Sequence, residues 1–304
     1  MHVFVAGGSG VLGRRLVMQL VARGHQVTAT TTSPAKLDLL AQLGAEGVVM
    51  DGLNAVSVGE AVAAARPDAI VNQMTGLSEA HAGKLNLRNA DRYFAPTNQL
   101  RTKGMDHLLS AAEATGVSHV VTQSHASSNG IREGGWVKTE DDPLQVVEGT
   151  KALGHLEAAV VRAGGAALRY GAFYGPGAND DQVRMVRKRM FPIVGGGTGY
   201  FSWVHLDDAA SATVLAVEQR AQGVFNIVDD EPAPVSDWLP HLARCAGAKP
   251  PRRLPAWLAR LLAGEMLVGM MAEGRGFSNA KARRELGWEP RYPSWRQGFR
   301  EELA

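Results

Sequence analysis

Three residues carry most of the proton chemistry this sequence can offer, and two of them are adjacent. Ser124 and His125 stand in TQSHASSNG, directly after an apolar, β-rich run. An imidazole titrates near neutrality and can donate or accept a proton; a loop histidine can equally well do no more than cap backbone groups. Ser127 and Ser128 lie near enough to compete for the same place. The third residue is Lys151 in VEGTK, with His155 one turn further on. Asp142 and Pro143 suit an N-cap and a first helical residue, which predicts a helix starting there. On that helix Lys151 lies about 160° from Leu153, whose stripe continues through Leu156 and Val160. The lysine therefore faces away from the packed stripe, either into solvent or into a cleft.

Other titratable clusters point to structure rather than chemistry. The pairs Asp141–Asp142, Asp207–Asp208 and Asp229–Asp230 fall at expected helix starts or turns, where carboxylates accept backbone N–H bonds. Asp207 and Ser278 are expected N-caps. The nine histidines and the one cysteine, Cys245, show no ligand spacing, so no metal site is expected. Lys281, Arg283 and Arg284 read as a solvated helix face.

A stronger signal sits at the N-terminus. AGGSGVLG follows an apolar run and opens a helical segment, with glycines at 7, 8, 10 and 13. Such a loop suits a dinucleotide: the turn is tight, and the backbone must approach a pyrophosphate at the helix N-terminus. Gly7, Gly10, Val11, Leu12 and Gly13 are the expected contacts. NAD-binding versions place an acidic residue about 20 positions on, against the ribose 2′-hydroxyl. Here the first acidic residue of the chain is Asp38, and the second strand ends in TTTSPAK. Thr31, Thr32 and Ser33 can donate to a 2′-phosphate, and Arg14 and Lys36 can neutralise it. That balance favours NADP over NAD.

The elements that must position these residues alternate along the first half of the chain. HVFVA, HQVTAT, EGVVM, DAIVN, SHVVTQ and AALRY are expected strands, separated by segments with apolar residues at helical spacing. Gly24 and Gly116 fall where helices should stop. Alternation of this kind predicts an α/β doubly wound parallel sheet, a Rossmann fold, with strand order 3-2-1-4-5-6. Residues 1–174 are expected to form the dinucleotide-binding lobe, rejoined by about 203–230. Residues 175–304 are expected to build a smaller, mainly helical substrate lobe. The 304-residue chain carries a formal net charge of +2, which gives no footprint for nucleic acid. PAWLARLLAGEMLVGMM is broken by Arg260 and Glu265, so it reads as a packed helix rather than a membrane span. The start, MHVFVAGG, is too short for a signal peptide's apolar region, and the lone cysteine suits a reducing compartment; a cytoplasmic protein is expected.

Together these motifs resemble the extended and atypical short-chain dehydrogenases/reductases, the group that includes NAD(P)-dependent epimerases/dehydratases. Asp51 and Gly52 in VVMDGL look like the segment near the adenine. Gln73, Met74 and Thr75 in VNQMT resemble the segment passing beside the cofactor. GVSHVVTQS, with Gln123, resembles the strand leading to the active-site serine, a position that Ser124 or His125 fills depending on a one-residue offset. LRYGAFYGPG, with Tyr170, WVHLDDAA, GVFNIVDDEP and ELGWEP resemble later landmarks. The resemblance implies a cofactor-dependent enzyme with a small-molecule substrate, and it makes a homodimer plausible.

One element of the family pattern is missing. Its reaction centre uses Tyr-x-x-x-Lys, but Val147 precedes Lys151 by four residues, and none of the five tyrosines has a lysine four positions later. The leading expectation is an NADP-dependent oxidoreductase or epimerase-like enzyme with a non-standard proton donor drawn from Ser124, His125 and Lys151. The alternatives are a catalytically silent NAD(P)-binding sensor or regulator, and a non-redox lyase or isomerase using the same cleft.

Overall fold

In a computed structural model of the chain, the described residues are 1–77, 90–126, 129–145 and 148–304. Ser127, Ser128 and Val147 fall outside them. Strand β1 (His2–Ala6) carries Val3, Phe4 and Val5, all fully buried. A strand with apolar residues on both faces must be covered on both sides, as in an all-parallel sheet flanked by helices. The sheet is of that kind. Its further strands are β2 (Gln26–Thr31), β3 (Glu46–Val49), β4 (Ala69–Asn72), β5 (Val120–His125), β6 (Ala166–Tyr170) and β7 (Gly223–Ile227). They lie in the order β7-β6-β5-β4-β1-β2-β3, every neighbouring pair parallel. The chain thus forms a doubly wound sheet whose seventh strand comes from the GVFNI segment.

Helix α1 (Val11–Ala22) packs one face through Leu12, Leu16, Val17 and Leu20. After α2 (Leu37–Gln42), α3 (Ala55–Ala65) covers the other face. Helix α4 (Ala90–Gln99) contains Pro96 and runs into a π-helical turn, Leu100–Gly104, before α5 (Met105–Thr115). Helix α6 (Glu148–Arg162) buries Leu153, Leu156 and Val160 against the sheet. It begins at Glu148, not at Asp142–Pro143. The Asp142 carboxylate instead accepts the Thr139 N–H at 2.9 Å, closing a turn upstream.

The rest of the chain builds a second apolar core. Its helices are α7 (Asp180–Arg187), α8 (Leu206–Glu218), α9 (Val235–Cys245), α10 (Ala256–Ala263), α11 (Glu265–Glu273), α12 (Ala280–Leu286) and α13 (Trp295–Glu302); α8 and α12 pack with α1 on the sheet, and the others line this second core. Tyr174, Trp203, Trp238, Trp295 and Phe299 meet there. Two buried carboxylates fasten the chain's end to this core. Asp208 accepts the N–H groups of Arg291 and Tyr292 at 2.8 and 2.9 Å, and Asp229 accepts that of Trp295 at 2.7 Å. Asp207 is not the cap of α8. His205 holds that position, its Nδ1 accepting the Asp207 N–H at 3.1 Å. Ser278 lies one residue before Asn279, which holds the cap position of α12, and accepts the Ala280 N–H at 3.2 Å. No described helix is long and apolar enough to cross a membrane.

Candidate active site

The glycine loop leaves a cradle that side chains would fill. Gly7 has φ +87°, and a Cβ on it would lie 2.8 Å from the Gln73 carbonyl oxygen. A Cβ on Gly13 would stand 2.3 Å from the Gly7 carbonyl oxygen, so α1 can approach β1 only without one. Gly10, the N-cap of α1, is exposed and supplies no side-chain cap. The N–H groups of the first turn, at Val11, Leu12 and Gly13, are left for an anion. The residues present therefore fit the pyrophosphate of a dinucleotide.

The end of β2 separates two kinds of hydroxyl. Thr31 is buried, and its Oγ1 accepts from the Ser9 hydroxyl at 3.0 Å and the Ser33 N–H at 3.2 Å, so it braces the loop. Thr32 and Lys36 are exposed, and Ser33 and Arg14 partly so. Asp51, beyond β3, is exposed and accepts the Leu53 N–H at 2.9 Å; the adjoining Gly52 is buried.

At the carboxyl ends of β4 and β5, alternation along a strand decides which side chains meet the crevice. Gln123 Nε2 donates to the Met74 carbonyl at 3.2 Å, tying β5 to the loop after β4, where Thr75 is exposed. Gln73 turns inward and donates to the Tyr170 hydroxyl at 3.1 Å. That hydroxyl lies 2.6 Å from Thr213 Oγ1. Tyr170 is 1% exposed, and burial pushes its pKa up to about 12. It is a core residue here, holding β6 against α8.

Ser124 and His125 point to opposite faces. The Ser124 hydroxyl donates to Glu157 Oε1 at 2.6 Å, and Arg169 grips the same carboxylate through Nε and Nη2 at 2.9 and 2.7 Å. All three side chains are buried, so the serine hydroxyl is committed to the interior between β5, β6 and α6. His125 lies on the other face, partly exposed. Desolvation, reinforced by the nearby Arg101 guanidinium, lowers its pKa to about 4. The ring is neutral at pH 7: it accepts a hydrogen bond readily and is a poor proton donor. Lys151 is exposed and lines a groove of about 550 Å³ with Ala95, Asn98, Gln99, Thr102, Ala152 and His155. Neither Ser124 nor His125 lines that groove. His155 pairs with Asp106 at 2.8 Å across α5 and α6. Among the described residues no group of three His, Cys, Asp or Glu side chains could hold a metal ion.

Sequence reasoning missed three residues at this edge. Glu157 sits mid-helix without a distinguishing pattern, and Arg101 lies in a segment that reads as ordinary helix. Arg169 did carry a signal: a charged residue inside the apolar strand AALRY demands a buried partner.

The sequence model of the NAD dependent epimerase/dehydratase family matches residues 3–228. The chain belongs to this family. Its relatives include a 3-diazoavenalumate denitrifying reductase from Streptomyces sp, 41% identical over 315 residues, covering 99% of this chain and 100% of the relative. A ketoreductase from Stigmatella aurantiaca, named for a 4-hydroxy-2-methyl-3-oxo-4-farnesyl-3,4-dihydroquinoline-1-oxide substrate, is 26% identical over 96% of this chain and 92% of its own. Among solved structures, the UDP-glucose 4-epimerase of Thermus thermophilus with NAD superposes with a TM-score of 0.78 at 21% identity, covering 100% of this chain and 98% of that one. Human epimerase family protein SDR39U1 with NADPH gives 0.75 at 20% identity, covering 100% and 99%. At those identities the structural likeness establishes the shared fold alone. Family membership and the reductase relative support an NAD(P)-dependent, oxidoreductase- or epimerase-like activity for this epimerase/dehydratase-family chain.

Proposed function

We propose that this chain is an NADP(H)-dependent reductase whose hydride acceptor is an aryl diazonium carbon, released as the arene with loss of dinitrogen. One observation carries the reading: the described groups at the ends of β4, β5 and β6 include no acid suited to neutral pH. The Tyr170 phenol is buried with its pKa near 12, His125 is neutral, and Ser124 is bonded inward to Glu157. The sequence offers Val147 where the family pattern has tyrosine. Carbonyl reduction needs a proton as well as a hydride. Replacing a diazonium group needs none: aryl diazonium plus hydride gives arene plus dinitrogen, the C–N bond breaking as the C–H bond forms. The 41% identical relative is named for a denitrifying reduction of a diazo compound, which supports the same class here.

The residues suited to hold the dinucleotide are Gly7, Gly10, Val11, Leu12 and Gly13 at its pyrophosphate. Thr32, Ser33, Lys36 and Arg14 are available to a 2′-phosphate. When bound, the cofactor supplies the hydride. The chain's part is to orient the acceptor at the ends of β4 and β5, exclude water and avoid donating protons.

The test uses 4-carboxybenzenediazonium with NADPH deuterated at the transferable C4 position. The expected result is protein-dependent benzoate carrying one deuterium, faster with NADPH than with NADH. No deuterated benzoate above the protein-free control would overturn the proposal. Turnover of ketones in its place would favour carbonyl reduction, and NADPH binding without either reaction would favour a silent binder.

A further inference from the structure

We propose that Arg101 is the specificity-determining residue of this site, presented by the π turn to pair with a carboxylate on the molecule being reduced. The inference rests on the reductase reading and narrows its substrate to an anionic one.

Placement comes first. The π turn Leu100–Gly104 lies against the loop after β4, because Gly76 N–H donates to Thr97 Oγ1 at 3.0 Å just upstream. A Cβ on Gly104 would stand 3.4 Å from the Gly52 carbonyl oxygen, so the turn's end seats on the segment after β3. One extra residue in a helical turn rotates the side chains beyond it, and such π turns recur at functional sites. Leu100, in the turn, and Met74, after β4, both lie against Gly52, after β3, which places the turn at the carboxyl ends of these strands, and the charge of its Arg101 reaches His125 at the end of β5. Ligands of doubly wound sheets lie across these strand ends.

Chemistry comes second. Arg101 is largely desolvated, enough to lower its pKa to about 10, which still leaves it charged at neutral pH. Its Nη1 donates to Asn98 Oδ1 at 3.1 Å, and among the described residues no carboxylate pairs with it. Each of the two buried arginines among the described residues has two nitrogens bonded, with Nη1 of Arg169 and Nε of Arg275 left over. Arg169 has the Glu157 carboxylate, and Arg275 donates to the Glu273 and Arg132 carbonyls and stacks on Trp136. A guanidinium has five donors in a fork that matches a carboxylate, so Arg101 retains a free edge of the right shape. The neighbouring His125 ring is neutral and adds no competing charge. The glycine loop and the β2 end already provide for the cofactor's phosphates from β1, α1 and β2.

Titration calorimetry tests this with benzoate and its neutral counterpart benzamide, each added to protein saturated with NADPH. Benzoate should bind Arg101→Gln about tenfold or more weakly than wild type, with benzamide and NADPH affinities within about twofold. Arg101→Lys, which keeps a cation, should fall between. Equal benzoate affinity in wild type and Arg101→Gln overturns the assignment, as does no benzoate binding to wild type at about 10 mM. Parallel loss of NADPH affinity in both folded variants also overturns it, because Arg101 would then serve the cofactor. The readout is binding alone, so failure of diazonium turnover with Arg101-dependent benzoate binding sinks the reaction and leaves this assignment standing.

Discussion

Arg169 on β6 and Glu157 on α6 form a two-pronged buried ion pair, 2.9 and 2.7 Å, directly beneath the strand end that bears His125. Ser124 adds a third bond to the same carboxylate. Removing one partner strands the other charge in the interior. Glu157→Ala should lower unfolding free energy by about 3–5 kcal/mol, measured by urea denaturation.

Ser124→Ala tests the serine directly. It removes one bond to a carboxylate that keeps Arg169, so the expected cost is about 1–2 kcal/mol of stability with cofactor affinity and turnover nearly unchanged. A hundredfold loss of turnover in a stable Ser124→Ala protein would return a chemical role to this hydroxyl.

The cofactor choice rests on the acid-free end of β2. Thr32→Asp places a carboxylate at the exposed strand end, where it repels a 2′-phosphate and accepts from a 2′-hydroxyl. NADPH affinity should fall by about tenfold relative to NADH, read by calorimetry. An unchanged ratio would mean that another segment reads the ribose.

Gly13→Ala probes the cradle. The added Cβ would lie 2.3 Å from the Gly7 carbonyl oxygen and 2.8 Å from the Gly8 Cα, both backbone atoms that cannot rotate aside. The loop must shift, and NADPH binding should weaken by about a hundredfold or more while circular dichroism retains the sheet. Tight binding by that variant would remove the glycine argument.

His125 gives a pH signature. Its folded pKa is about 4 against an ordinary value of 6.5, so the unfolded chain takes up the proton first as pH falls. Its contribution to stability is present above about pH 6.5 and is lost progressively as pH falls toward about 4, by at most about 3 kcal/mol. Buried acids such as Asp208 and Asp229, whose pKa values are raised, act with the opposite sign in an overlapping range. The comparison is therefore wild type against His125→Gln. The stability difference should shift in favour of the variant between about pH 6.5 and about pH 4.5. A flat difference would show that the ring is hydrated.

The parallel sheet and the cofactor loop were legible because local rules govern them. Runs such as HVFVA and AALRY are apolar on both faces, which demands cover from both sides, and glycines at 7, 10 and 13 mark a close backbone approach. The absent tyrosine was equally plain, since Val147 has no proton to give. Three-dimensional packing decided the rest. Ser124 and His125 are adjacent in sequence, but a strand sends successive side chains to opposite faces, and only the positions of α6 and β6 show that the serine meets Glu157 and Arg169. The start of α6 depended on a turn closed by Asp142 and Thr139, which competes with the helix start that Asp-Pro suggests. Arg101 reads as an ordinary helical cation until a π turn after Pro96 brings its charge within reach of His125. Its desolvation, and the burial that keeps the His125 imidazole neutral, are set by residues far apart in the chain, and no spacing rule reaches that distance.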